Sequence, residues 1–153
     1  MAKQNTKLES EGAEFLVLGL MLIEGIPCYK AYVNFPGYDL VAYNTDTQKI
    51  ARLQIKSRWA TNYDKSFSIK NLECDFVVHV ALNRGYGFGR IAKGDDTGVR
   101  APEFFVFPVD VVRKARNPKS TWGKTKITHI PDYMDYRENW KLIKSFLSKK
   151  ARR

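Results

Sequence analysis

Three side chains at short spacing could do chemistry together: Asp39, Gln54 and Lys56. The run Asn44-Thr45-Asp46-Thr47-Gln48 has turn composition and separates two strand-like runs, residues 39 to 43 and 50 to 56. A hairpin centred on Asp46 and Thr47 sets Asp39 opposite Gln54, and opposed residues share one face of a sheet. Lys56, two residues beyond Gln54, shares that face, while Leu40, Leu53 and Ile55 point the other way into a core. A carboxylate, an amide and an amine so placed meet the needs of phosphodiester hydrolysis: oxygen ligands for Mg²⁺, a positioned water, and a cation near the charge that builds on phosphorus. Asp39 ligates the metal in this reading, Gln54 offers its side-chain oxygen, and Lys56 orients or helps deprotonate the water. Glu14 adds a second carboxylate. A strand with one solvent-facing side accounts for the same triplet, so spacing by itself leaves both readings open.

The elements that must position these groups follow from hydrophobic patterning. Residues 9 to 24 contain no proline and close on Gly25-Ile26-Pro27, which predicts a helix. Phe15, Leu16, Leu18, Leu20, Met21, Leu22 and Ile23 cover nearly its whole circumference. Its later turns are therefore expected against a sheet, with the acidic start, Glu9, Glu11 and Glu14, reaching an edge. Strands are expected over residues 29 to 35, broken by Pro36-Gly37, in the hairpin, over the apolar run 74 to 82, and over 103 to 107. Residues 83 to 102, with five glycines, read as a long loop, and residues 109 to 116 and 136 to 149 as helices. The order predicts an α/β domain with a mixed four- or five-stranded sheet flanked by helices.

A chain of 153 residues suits one domain spanning residues 1 to 153. Its net charge of +10 is lopsided. Residues 1 to 112 hold 13 basic and 13 acidic side chains, and residues 113 to 153 hold 13 basic and 3 acidic. The whole excess lies in the basic C-terminal region, as for a partner that is a polyanion, nucleic acid first, or for a solvated basic tail. Cys28 and Cys74 lack the paired spacing of a zinc site and read as buried, reduced thiols. The longest apolar run, residues 15 to 23, is about half of a bilayer span, so no membrane is expected and a cytoplasmic location is.

The motifs then carry a resemblance. Gly12-Ala13-Glu14-Phe15-Leu16-Val17, Glu24-Gly25-Ile26, Gly37-Tyr38-Asp39-Leu40-Val41, Leu53-Gln54-Ile55-Lys56-Ser57 and Asp75-Phe76-Val77-Val78 together resemble the PD-(D/E)XK nuclease superfamily. The likeness covers residues 12 to 110 and is greatest to small members, among them some restriction enzymes, Holliday junction resolvases and homing endonucleases. It implies a restriction-endonuclease-like core and a Mg²⁺-dependent DNA endonuclease, with Mn²⁺ substituting, that acts on double-stranded or branched DNA as a homodimer or homotetramer. Asp39 corresponds to the motif aspartate, Lys56 to the motif lysine, Glu14 to the helix glutamate, and the backbone carbonyl of Ile55 to a further metal ligand. Gln54 stands where the motif has Asp or Glu, and Pro36 precedes Asp39 by three residues instead of one. The lost charge at Gln54 weakens divalent binding unless Glu14 restores it, and Glu11, one turn away, is the alternative if the helix is rotated. A scaffold that binds nucleic acid without cutting it is the second implied reading.

Other signals are weaker. Residues 84 to 90 imitate an RNA-binding octapeptide, but Gly89 and Ile91 break the pattern. Arg84, Tyr86 and Arg90, with Arg58 and with Lys119, Lys124 and Lys126 beside Trp122, remain candidates for nucleic-acid contact. Asp95-Asp96 reads first as a turn, and His79 and His129 as structural residues.

Overall fold

The computed structural model describes residues 5–31, 38–61, 65–86 and 95–150. Helix α1, Thr6–Ile23, starts where Asn5 Oδ1 accepts the backbone N–H groups of Lys7 and Leu8, at 3.1 and 3.2 Å. It stops in a Schellman motif: Gly25, at φ 79°, donates to Leu22 O while Ile26 donates to Met21 O. Strand β1, Cys28–Lys30, follows; the rest of the strand expected up to residue 35 lies mostly outside the described residues.

Strands β2, Leu40–Asn44, and β3, Lys49–Arg58, form the expected hairpin. Asn44 Oδ1 accepts from the N–H groups of Asp46 and Thr47, which closes the turn. Strand β4, Ser66–Ser68, leaves the main sheet, β5, Phe76–Ala81, returns to it, and β6, Glu103–Pro108, runs into helix α2, Val109–Ala115. Strand β7, Lys124–Lys126, pairs with β4, and after two short 3₁₀ turns the chain ends its described part in helix α3, Lys141–Ser148.

The main sheet has the order β1-β2-β3-β5-β6, antiparallel except where β3 lies parallel to β5. The fold is thus α/β, a mixed five-stranded sheet flanked by three helices. One face packs on α1 and α3, where Leu40, Leu53, Ile55, Val78 and Val106 meet Ala13, Val17, Met21, Ile143 and Leu147. The other face, with Val77, Phe105 and Phe107, packs under α2, Phe67, Ile127 and Ile130. Central β5 is buried on both faces, which is why its sequence is a continuous apolar run.

Several expectations need correction. The outer side of α1 is not covered by any sheet: Phe15, Leu16, Leu22 and Ile23 are exposed, and Ala13, Val17 and Met21 form the buried stripe. A helix on the surface of a sheet buries a single stripe, so apolar residues all round it did not mean burial all round. The last helix starts at Lys141, because Tyr133–Tyr136 forms a 3₁₀ turn first. Cys28 is only half-buried, although both cysteines are free and burial pushes each thiol up to about 11. The small β4–β7 ribbon has no periodic signal in three-residue strands, and sequence patterning did not disclose it.

Candidate functional site

The β2–β3 hairpin pairs in the register expected from the turn, with Leu40 opposite Leu53 and Val41 opposite Arg52. Asp39 stands one residue before β2, where its N–H donates to Leu53 O at 2.8 Å. Its carboxylate turns across the hairpin and Oδ2 accepts the N–H of Ile55 at 2.8 Å. That bond fixes the carboxylate against β3. Along β3 the burial alternates, with Ala51, Leu53 and Ile55 inside and Arg52, Gln54, Lys56 and Arg58 in a half-buried row on the opposite face.

Asp39 is half-buried, and burial holds its pKa above the usual carboxylate range. The Ile55 N–H and the charges of Lys56 and Lys30 oppose the shift without cancelling it, and Glu11 adds to it. Glu14 is likewise raised, first by burial and also by the charges of Asp39 and Glu11. Helix and hairpin therefore bring two carboxylates close enough for the charge of Asp39 to act on Glu14.

Lys30, a residue sequence reasoning passed over, occupies the centre of this arrangement. Its amine is 3.0 Å from Glu14 Oε2, it pairs with Glu11 Oε1, and it lies 4.3 Å from the centroid of the Phe15 ring. Its side chain is 5% exposed, against 17% for Glu14 and 53% for Glu11. Burial disfavours the charged amine, but the bonds to Glu11 and Glu14 outweigh it and its pKa is net raised. The only sequence signal was a lysine on an edge strand opposite Leu40, a position that faces α1 rather than solvent. Glu11 and Glu14, three residues apart on α1, thus share one cation, so the alternatives for the helix glutamate belong to one cluster.

Among the described residues no three His, Cys, Asp or Glu side chains group as a metal site. A divalent ion here needs amide or carbonyl oxygens beside the two carboxylates, and Gln54 and the Ile55 carbonyl are of that type. An all-oxygen set in which burial and the charges of neighbouring carboxylates raise both acids fits a hard cation such as Mg²⁺ or Mn²⁺.

Directly opposite Lys56 on β5 lies His79, 1% exposed, stacked at 5.3 Å on the Phe67 ring and tilted at 6.5 Å to that of Phe105. Its Nδ1 has no hydrogen-bond partner among the described residues. Burial first, then the charge of Arg58, lowers its pKa to about 3, so the ring is neutral.

The other candidates separate into groups. Arg58 continues the row of Lys56. Arg84 lies instead beside Trp59, at an apolar groove along α1. The Tyr86 hydroxyl donates to Asp96 Oδ2 at 2.6 Å and accepts from Arg100 at 3.1 Å, and Asp96 Oδ1 accepts the Gly98 N–H, the turn expected at Asp95-Asp96. Arg90 lies outside the described residues. Lys124 and Lys126 share one face of the β4–β7 ribbon, with Thr125 and Phe67 buried beneath, and Lys119 is exposed in the preceding loop.

No protein-family model matches the chain, and no curated protein does. Among solved structures, a bacterial homing endonuclease, I-Ssp6803I, aligns at TM-score 0.59 and 22% identity over 94% of each chain. The Holliday junction resolvase Hjc of Archaeoglobus fulgidus aligns at TM-score 0.47 and 16% identity over 80% of this chain and 88% of its own. The chain shares its α/β fold, a mixed five-stranded sheet flanked by helices, with that homing endonuclease.

Proposed function

We propose that the chain is a metal-dependent DNA endonuclease whose site is built from Glu14, Asp39, Gln54 and Lys56. The observation that carries this is the Asp39 carboxylate, fixed by the Ile55 N–H on the same face as Lys56 and within reach of the charge of Glu14's cluster. The similarity in fold to a homing endonuclease supports it. Mg²⁺, for which Mn²⁺ substitutes, would be held by oxygens of Glu14, Asp39, Gln54 and the Ile55 carbonyl, and supplies positive charge against the phosphate and a more acidic water.

Lys56 carries its ammonium beside Asp39 and donates hydrogen bonds to the scissile phosphate, whose negative charge grows in the transition state. Asp39 and Gln54 orient the attacking water in line with the leaving oxygen. One P–O bond forms with the water oxygen, one breaks, and the leaving oxygen takes up a proton. Lys119, Lys124 and Lys126, with Arg58, hold the DNA backbone through charge. One site cuts one strand, so cleavage of both strands takes two copies of the chain.

The Lys30 clamp on Glu14, together with an uncharged Gln54, favours one alternative, a scaffold that binds DNA without cutting it. Divalent-dependent cleavage of plasmid and branched DNA separates the two. Asp39→Asn, whose amide oxygen can still accept the Ile55 N–H, and Lys56→Ala should each lower the rate at least a hundredfold with the fold intact. Equal cleavage by wild type and both variants would sink the site, and DNA binding without cleavage by wild type would establish the alternative.

A further inference from the structure

Helix α1 carries a stripe directly opposite its buried side: Leu8, Gly12, Phe15 and Leu22, which are exposed, and Gly19, which is half-buried. The spacing alternates four and three residues, the spacing of a helix-pairing seam, and large residues alternate with glycine. Leu8 is 71%, Phe15 50% and Leu22 52% exposed, and none of the five is charged. No contact among the described residues accounts for either glycine. A Cβ built at Gly12 or Gly19 meets nothing within 4 Å among them, and glycine weakens a helix interior relative to alanine. Glycines on an exposed helix face let another backbone approach closely.

From this geometry we infer that the outer face of α1 pairs antiparallel with the same face of a second copy of the chain. An antiparallel pair centred between Phe15 and Leu16 sets Gly12 against the partner's Gly19, and each phenylalanine fills space that the glycines leave. The same centre sets Leu8 against the partner's Ile23, and a separate feature of the surface answers to that placement. Beside the first half of α1 lies a groove of about 530 Å³ walled by Leu8, Gly12, Leu16, Trp59 and Leu82, with Glu9 and Arg84 also lining it. Ile23, at the far end of the helix, is 81% exposed and reaches that groove in the partner. Knob and groove, at opposite ends of one helix, match under a two-fold axis and under no parallel arrangement. The exposed apolar side chains offer on the order of 500 Å² per chain, close to the apolar share of the roughly 800 Å² per partner in a standard interface.

This names the surface for the two copies that double-strand cleavage requires, and so it rests on the nuclease reading for its purpose though not for its geometry. Light scattering of the full chain during size exclusion, over a dilution series, tests it. The wild type should be a dimer, or a tetramer, that dissociates on dilution. Gly19→Gln and Ile23→Glu, both of which a single chain accommodates, should each remove this contact while the thermal midpoint of the dilute protein stays unchanged or rises. Leu8→Cys mixed with Ile23→Cys should give a disulfide-linked pair that neither variant, nor wild type with Cys28 and Cys74, gives alone. A wild type monomeric at every concentration would overturn the proposal. So would an assembly that both substitutions leave intact, or binding of this face to lipid vesicles in place of a second copy. Asp39→Asn should dimerise like wild type, so inactivity and failure to pair are read separately.

Discussion

Replacing Lys30 by methionine tests whether the buried amine clamps the carboxylates of Glu11 and Glu14. The amine contacts Glu14 at 3.0 Å and also Glu11, with its own side chain 5% exposed. Removing one partner of a fully buried pair costs about 3–5 kcal/mol, because the other charge is left without compensation. Here the loss is smaller. Glu11 is half exposed and its share of the pair is screened, and losing the amine removes a charge and a hydrogen bond that hold the raised Glu14 carboxyl down, which moves it further toward the neutral form. A loss of about 2 kcal/mol follows, or roughly 6 °C in thermal midpoint for a chain of this size. Glu14→Gln and the double variant complete a cycle whose coupling should exceed about 1 kcal/mol. The second half of the prediction concerns divalent ions. Lys30 and a bound cation compete for Glu14, so Mg²⁺ or Mn²⁺ should raise the midpoint of Lys30→Met more than that of wild type. A tenfold gain in affinity adds about 1.4 kcal/mol at saturating ion. Differential scanning fluorimetry with and without the ion measures both effects. No coupling with Glu14, or a smaller divalent effect in Lys30→Met than in wild type, would refute the argument.

His79 makes stability depend on acid. Its pKa is depressed to about 3 in the folded chain against 6.5 unfolded, so its contribution is complete above 6.5 and is lost as pH falls toward 3. Between pH 7 and pH 5 the loss is about 2 kcal/mol, and His79→Phe, flanked by Phe67 and Phe105, should remove that part of the slope in urea titrations. Identical slopes in both proteins would contradict it. Changing Lys119, Lys124 and Lys126 together to alanine should weaken DNA binding and reduce the salt slope of log K by about 0.9 for each phosphate that is no longer neutralised. An unchanged slope would remove the three lysines from the interface.

The hairpin was the most legible part of the sequence. Its turn residues fix where the chain reverses, and strand alternation has a period of two, so the register and the shared face of Asp39, Gln54 and Lys56 follow from counting. The end of α1 was legible for a related reason, since the Gly25 stop is a local signal, whereas its start at Thr6 behind the Asn5 cap lies three residues before the expected one. What each face of α1 touches was not. A helix apolar on all sides states that its faces avoid water, not which neighbour covers them, and one sheet reached only the stripe of Ala13, Val17 and Met21. The β4–β7 ribbon was hidden because three-residue strands carry too few residues for any period to show.

The sequence by itself determined the chemistry available at the site and the order in which it occurs along the chain, because side-chain type and backbone period are local properties. Only the tertiary structure decided how those groups answer to one another. The bond from the Ile55 N–H to Asp39, the amine of Lys30 between Glu11 and Glu14, and the neutral ring of His79 across from Lys56 all join residues distant in sequence. Their energies come from burial and distance, quantities that exist only once the sheet and its helix have packed.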